Sequence, residues 1–251
     1  MPELANDLAL SKKIQSVKAS GIRIFDNKVS TIPGIIKLTL GEPDMNTPEH
    51  VKTAAIESIR NNDSHYAPQK GKLELRQAIS NYLKKATGVV YDPETEIVVT
   101  VGATEAINAT LFSITNPGDK VAIPTPVFSL YWPVATLADA DYVLMNTSED
   151  NFKLTPERLE STLKEESNIK AVILNYPVNP TGVEYTESEI RALAEVIKAH
   201  NLYVITDEIY STLTYGVKHF SIASVIPERA IYISGLSKSH AMTGYRLGYV
   251  A

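Results

Sequence analysis

The chain has 251 residues, 44% hydrophobic and 21% charged, with a formal net charge of −5, 12 glycines, 14 prolines and no cysteine. The acidic balance argues against a nucleic-acid or anionic-membrane surface, and the missing cysteine excludes disulfides, thiolate metal sites and cysteine nucleophiles together. No apolar run reaches bilayer length, and the acidic, apolar-poor start is not a secretory signal, so a soluble cytoplasmic protein without a metal site is the expectation.

Residues 1–45 read as an N-terminal arm, a polar helix followed by the extended piece "IIKLTLGEPD", ahead of a larger unit covering 46–251. "TPEHVKTAAIESIRNN" predicts a helix with Thr47 as N-cap and Pro48 at the first helical position. "GKLELRQAISNYLKKATG" has apolar residues at helical spacing and a glycine after its last turn. "EIVVTVG" predicts a strand and "ATEAINATLFSI" a helix; "KVAIPTP" and "DYVLMNT" predict short strands, and "TPERLESTLKEE" a helix opened by proline. "KAVILNYP" is apolar on both faces, the mark of a buried parallel strand. "TESEIRALAEVIKAHN" carries a capping box, Thr186 with Glu189, and "LYVITDE" and "AIYISGL" are two further strands. Strands alternating with helices predict an α/β fold, a mostly parallel sheet sandwiched by helices.

Ligands of such sheets sit beyond the carboxyl ends of the strands, so the residues just after each strand are the candidates. Gly102 opens a strand–helix turn whose Ala103 and Thr104 amides can face an anion at the positive end of a helix; taken alone, an ordinary tight turn with a threonine cap is the better reading. Asp207 could stabilise a protonated ring nitrogen or simply cap the turn that follows it, and Tyr210 shares its face if that turn is helical. Asn179 is presented by a loop stiffened by Pro177 and Pro180, or forms an Asx turn there. Phe128 could stack on a planar ring or belong to the core. Lys238, at a strand end between Ser237 and Ser239, can lose its proton and form an imine with an aldehyde, and Arg246 presents the forked donors that suit a phosphate.

Taken in this order, "GATEA", "NYPVNPTG", "TDEIY" and "SGLSKSHAMTGYRLGY" resemble the motifs of the class I/II, fold-type-I pyridoxal-phosphate-dependent aminotransferases, and "LTLGEPD" and "HYAPQKGKLELR" match that family's N-terminal segments. The resemblance runs from about Ile14 to the last residue and is nearest to bacterial aromatic-amino-acid and N-acetyl-diaminopimelate aminotransferases. It implies a pyridoxal 5'-phosphate enzyme acting on an amino acid and a 2-oxo acid, with Lys238 as Schiff-base lysine and proton carrier. It further implies that Asp207 holds the ring nitrogen, Tyr210 and Asn179 the phenolic oxygen, and Phe128 the ring face. Gly102, Ala103, Thr104, Ser237 and Arg246 would hold the phosphate; Gly41 and Asn179 would meet the substrate. Tyr66 would reach the partner's phosphate in a homodimer. Many members carry a phosphate-binding serine three positions before the lysine; here Gly235 stands there, leaving Ser234 and Ser237 as the nearby hydroxyls. The family's C-terminal segment, which completes the small domain and supplies an arginine for the substrate carboxylate, is missing. The expectation is therefore a large domain with its arm, the arm belonging to the small domain or the dimer interface. A carbon–sulfur β-lyase is the alternative on the same cofactor. A non-catalytic sensor domain is the alternative from another class, and the arm shows no basic helix-turn-helix for it.

Overall fold

The computed structural model describes residues 10–17 and 21–251. The arm contributes α1 (Lys12–Ser16) and α2 (Gly21–Val29), two helical pieces where the sequence predicted one. Then come α3 (Glu49–Arg60), α4 (Leu73–Thr87), β1 (Val98–Val101), α5 (Gly102–Ile114), β2 (Lys120–Thr125), α6 (Tyr131–Leu137) and β3 (Asp141–Asn146). The chain continues through α7 (Pro156–Glu165), β4 (Ile169–Asn175), α8 (Glu187–Ala199), β5 (Tyr203–Asp207), β6 (Ala230–Gly235) and β7 (Leu247–Val250).

Local rules account for most of these boundaries. Gly88, in the left-handed conformation, ends α4 as predicted. Thr155 caps α7 ahead of Pro156, and the Thr186–Glu189 capping box opens α8. Two local readings are corrected. Thr47 does not cap α3: Pro48 occupies the cap position, and the Thr47 hydroxyl donates to the Ala241 carbonyl at 2.7 Å. A tertiary partner thus takes the donor that a local cap would have used. Helix α6 was not read from the sequence, because Pro133 interrupts its pattern; at the third helical position its missing N–H costs no bond.

The seven strands form one sheet in the order β1-β7-β6-β5-β4-β2-β3, parallel except for β7. Helices α5 and α6 cover one face, where Ile107, Val134, Ile173 and Ile205 pack together. Helices α4, α7 and α8 cover the other through Leu83, Leu159 and Leu193. Coverage on both faces is why Ala171–Asn175 of β4 are all buried, and why that strand reads as continuously apolar. Strand β7 is antiparallel because the chain returns from β6 through a short loop rather than a crossover helix. Its first residues therefore lie at the same sheet end as the carboxyl ends of β1, β4, β5 and β6.

Candidate active site

At that sheet end, Gly102 begins α5 with φ +75°. A Cβ built on Gly102 would stand 2.5 Å from Arg246 Nη2, so the guanidinium occupies the space a side chain would fill. Arg246 Nη1 donates to the Thr243 carbonyl at 2.9 Å, fixing its aim. Gly248 of β7 makes this approach possible: a Cβ there would lie 2.3 Å from the Gly102 carbonyl carbon and 2.4 Å from the Ala103 nitrogen. Arginine and a positive helix end thus converge on one anion cradle. Thr104 is exposed within the first turn of α5, and is not the cap of that helix.

A second group of residues is joined by hydrogen bonds. The Asp207 carboxylate, buried at the end of β5, accepts from Tyr131 Oη at 2.8 Å and from the Ile209 amide at 3.2 Å. Burial pushes its carboxyl up to about 6 against those two donors. The turn after Asp207 is not helical, yet Tyr210 Oη still receives Asn179 Nδ2 at 3.4 Å. Asn175 connects the two: its Nδ2 donates to the Asp207 carbonyl at 3.0 Å, and its Oδ1 accepts from the Asn179 amide at 3.0 Å. Phe128 stands edge-on to Tyr131, ring centroids 6.0 Å apart, with one side open to solvent.

Lys238 links the two groups. Its half-buried Nζ lies 5.8 Å from the Tyr210 ring centroid and donates to the Gly41 carbonyl. Burial lowers its proton affinity, Glu42 opposes that, and Arg246 adds to it. The arm docks onto this loop through Gly41 to Lys238 and Glu42 to Thr243, and Thr47, just beyond the arm, adds a third contact to Ala241. An amine with weakened proton affinity, a buried acid and an anion cradle at one sheet end can hold an anionic carbonyl compound and move a proton beside it.

A family profile, aminotransferase class I and II, matches residues 33–251. The chain belongs to the class I and II aminotransferases. It is 45% identical to the probable N-acetyl-LL-diaminopimelate aminotransferase of Bacillus subtilis (strain 168), over 96% of this chain and 61% of that protein. To the aromatic-amino-acid aminotransferase 2 of Thermococcus litoralis it is 40% identical, over 97% of this chain and 63% of that one. The structure of aspartate aminotransferase from Thermus thermophilus with maleate superposes with a TM-score of 0.92 at 35% identity, covering 97% of this chain and 64% of that chain. The chain thus spans about three fifths of the length of the curated aminotransferases it matches.

For an aminotransferase-family site, the sequence candidates divide in two. Gly102, Ala103, Arg246, Lys238, Tyr210, Asn179, Asp207, Phe128 and Gly41 are brought to one sheet end. Tyr66 is fully exposed. Ser234 donates to the Glu208 carbonyl at 3.3 Å, whereas the buried Ser237 hydroxyl makes no hydrogen bond among the described residues, leaving it the free hydroxyl beside Lys238. Gly235 cannot carry a serine's Cβ in place, because that atom would stand 2.7 Å from the Leu247 carbonyl oxygen of β7. Asn175, Tyr131 and Gly248 escaped the sequence reading. Asn175 ends "KAVILN" and could have been found by the strand-end rule that found Asp207. Nothing local marks the other two.

Proposed function

We propose that the chain is the cofactor-binding part of a pyridoxal-phosphate-dependent aminotransferase. It would exchange an amino group between an amino acid, of the aromatic or N-acetyl-diaminopimelate kind, and a 2-oxo acid. One observation carries the reading: Lys238, with its lowered proton affinity, stands between the Arg246–Gly102 cradle and the Asn179–Tyr210–Asp207 group. The residues fit the cofactor, since the cradle suits a phosphate and the buried Asp207 carboxyl suits a cationic ring nitrogen. Bound there, pyridoxal 5'-phosphate supplies an aldehyde and an electron-accepting ring.

Lys238 Nζ would be the amine that holds that aldehyde, and, once freed by the substrate amine, the group that takes and returns the proton at substrate Cα. Asp207 would hold the ring nitrogen protonated, Tyr210 and Asn179 would hydrogen-bond the phenolic oxygen, and Phe128 would cover the ring. Arg246, the Gly102 and Ala103 amides, Thr104 and Ser237 would hold the phosphate, Gly41 would approach the substrate carboxylate, and Asn179 would also meet the substrate. Residues 46–251 form the large domain, and 1–45 the arm of the small domain or dimer interface. Exposed Ile24, Phe25, Ile36 and Leu38 on the arm support a covering partner, as the exposed Tyr66 supports a homodimer with shared sites. Among the described residues no helix is long and apolar enough to cross a membrane, which accords with a cytoplasmic enzyme.

The test is an absorbance titration with pyridoxal 5'-phosphate on the parent chain and Lys238→Ala. A visible band in the parent that the variant lacks is expected; a band of equal strength in both, or in neither, overturns the assignment.

A further inference from the structure

Consecutive strand-end residues face opposite sides of the sheet, so Asp207 and Glu208 serve different environments. Asp207 faces Tyr131 beneath α6, whereas Glu208 is wholly buried on the far side. There Glu208 Oε1 accepts from Thr206 Oγ1 at 2.8 Å and from Ser221 Oγ at 2.5 Å. Its Oε2 lies 2.8 Å from His219 Nε2, and the other ring nitrogen, Nδ1, lies 3.2 Å from Glu184 Oε2. The Tyr176 ring packs on the imidazole, centroids 5.0 Å apart, and closes the cluster on that side.

The three members lie on three separate segments, and two of these bear the site's polar groups. Glu184 follows directly on the loop of Asn179, which closes on itself through Val178 N to Val183 O at 2.9 Å and Gly182 N to Val178 O at 2.7 Å. Glu208 lies between Asp207 and Tyr210. At the sheet end the two loops are joined by the Asn175 side chain, at 3.0 Å to each, and by a long 3.4 Å bond between Asn179 and Tyr210, so both ties lie on one side and the cluster adds one on the other. A wholly buried and a largely buried carboxylate on one imidazole are also no better a source of stability than apolar packing of equal volume. Directional fixing of backbone is what such a bridge adds.

We infer that Glu184, His219 and Glu208 form a buried strut, behind the sheet end, that fixes the Asn179 loop against the Asp207–Tyr210 turn and makes His219 a positioning residue for the site. In its bearing on cofactor chemistry the inference rests on the proposed function; the strut itself does not.

Amide hydrogen exchange on the cofactor-free chain tests it, comparing the parent with His219→Gln and Glu184→Gln; the latter keeps the packing and serves where H219Q fails to fold. Residues 176–185 and 207–214 should together exchange roughly fivefold faster or more, while residues 98–107 of the phosphate cradle stay unchanged. Unchanged exchange in the two loops, or an equal loss across all three segments, overturns the strut. As a second readout, the pH midpoint of the Lys238-dependent visible band should move by about half a unit or more in the variants, since Asn179 and Tyr210 lose their placement. A midpoint identical to the parent's overturns the positioning role. Absence of that band in the parent would instead sink the cofactor reading, and the exchange result alone would then decide the strut.

Discussion

Replacing Asp207 by Asn should leave the fold intact and change how its stability responds to pH. Asn Oδ1 can keep the 3.2 Å bond from the Ile209 amide, while its Nδ2, in place of the other carboxylate oxygen, can donate to Tyr131 Oη once that hydroxyl turns to accept. What disappears is a buried titration. Burial raises the Asp207 carboxyl from 3.8 to about 6, so the folded chain holds this proton more tightly than the unfolded chain does. Stability from the group is therefore fully present below pH 3.8 and is lost as pH rises through about 6. At about 1.4 kcal/mol per pH unit, the penalty of the ionised form levels off near 3 kcal/mol above that range. Urea unfolding of the parent and D207N at intervals between pH 4 and 8 reads it directly. Carboxylates far from Asp207 contribute equally to both chains and cancel in the difference; the adjacent Glu208, whose charge also raises Asp207, is the exception. The stability of D207N relative to the parent should climb by about 3 kcal/mol across this window and then flatten. Saturating pyridoxal 5'-phosphate should reduce that gap, because a ring cation stabilises the carboxylate. A difference that does not vary with pH would refute the claim that an acid is buried without charge compensation at the end of β5.

Three further outcomes follow from the same geometry. Tyr131→Phe removes one of the two donors to Asp207 and should cost about 2 kcal/mol at pH 8 and less at pH 5, where the carboxyl is protonated; equal losses at both pH values in urea unfolding would count against it. Gly248→Ala sets a methyl 2.3 Å from the Gly102 backbone and should cost about 3 kcal/mol while weakening pyridoxal phosphate binding, so a neutral urea midpoint would contradict the close approach of β7 to α5. Burial opposes protonation of His219, but Glu184 and Glu208 prevail and raise it from 6.5 to about 9. Its stabilising effect relative to His219→Gln should thus be full below pH 6.5 and lost as pH rises through 9, about 3 kcal/mol in all; a thermal-melt difference that grows with pH would reverse the sign.

Strands and helices were largely legible because their signals are local. An apolar run in β4, a proline start in α7 and a capping box in α8 each act within a few residues. The same locality explains the errors. Thr47 is a good cap by type, but its hydroxyl is used by Ala241, 194 positions on. Helix α6 opens with a proline inside its first turn, so its pattern is broken where its geometry is not.

For the site, the sequence by itself determined which chemistries are present and on which strand ends they stand: the lysine, the arginine eight positions on, the glycine turn, the buried acid. It did so because strand ends project towards a ligand whatever the order of the strands. Only the tertiary structure decided who meets whom. Asn175 bridges to Asp207 because parallel pairing of β4 with β5 puts those two residues in register. Arg246 covers Gly102 because β7 runs antiparallel and Gly248 lets two backbones touch. Glu184, His219 and Glu208 converge only once the far face of the sheet is closed. Contacts of that kind depend on register and close approach across long stretches of chain, and neither leaves a periodic trace in the sequence.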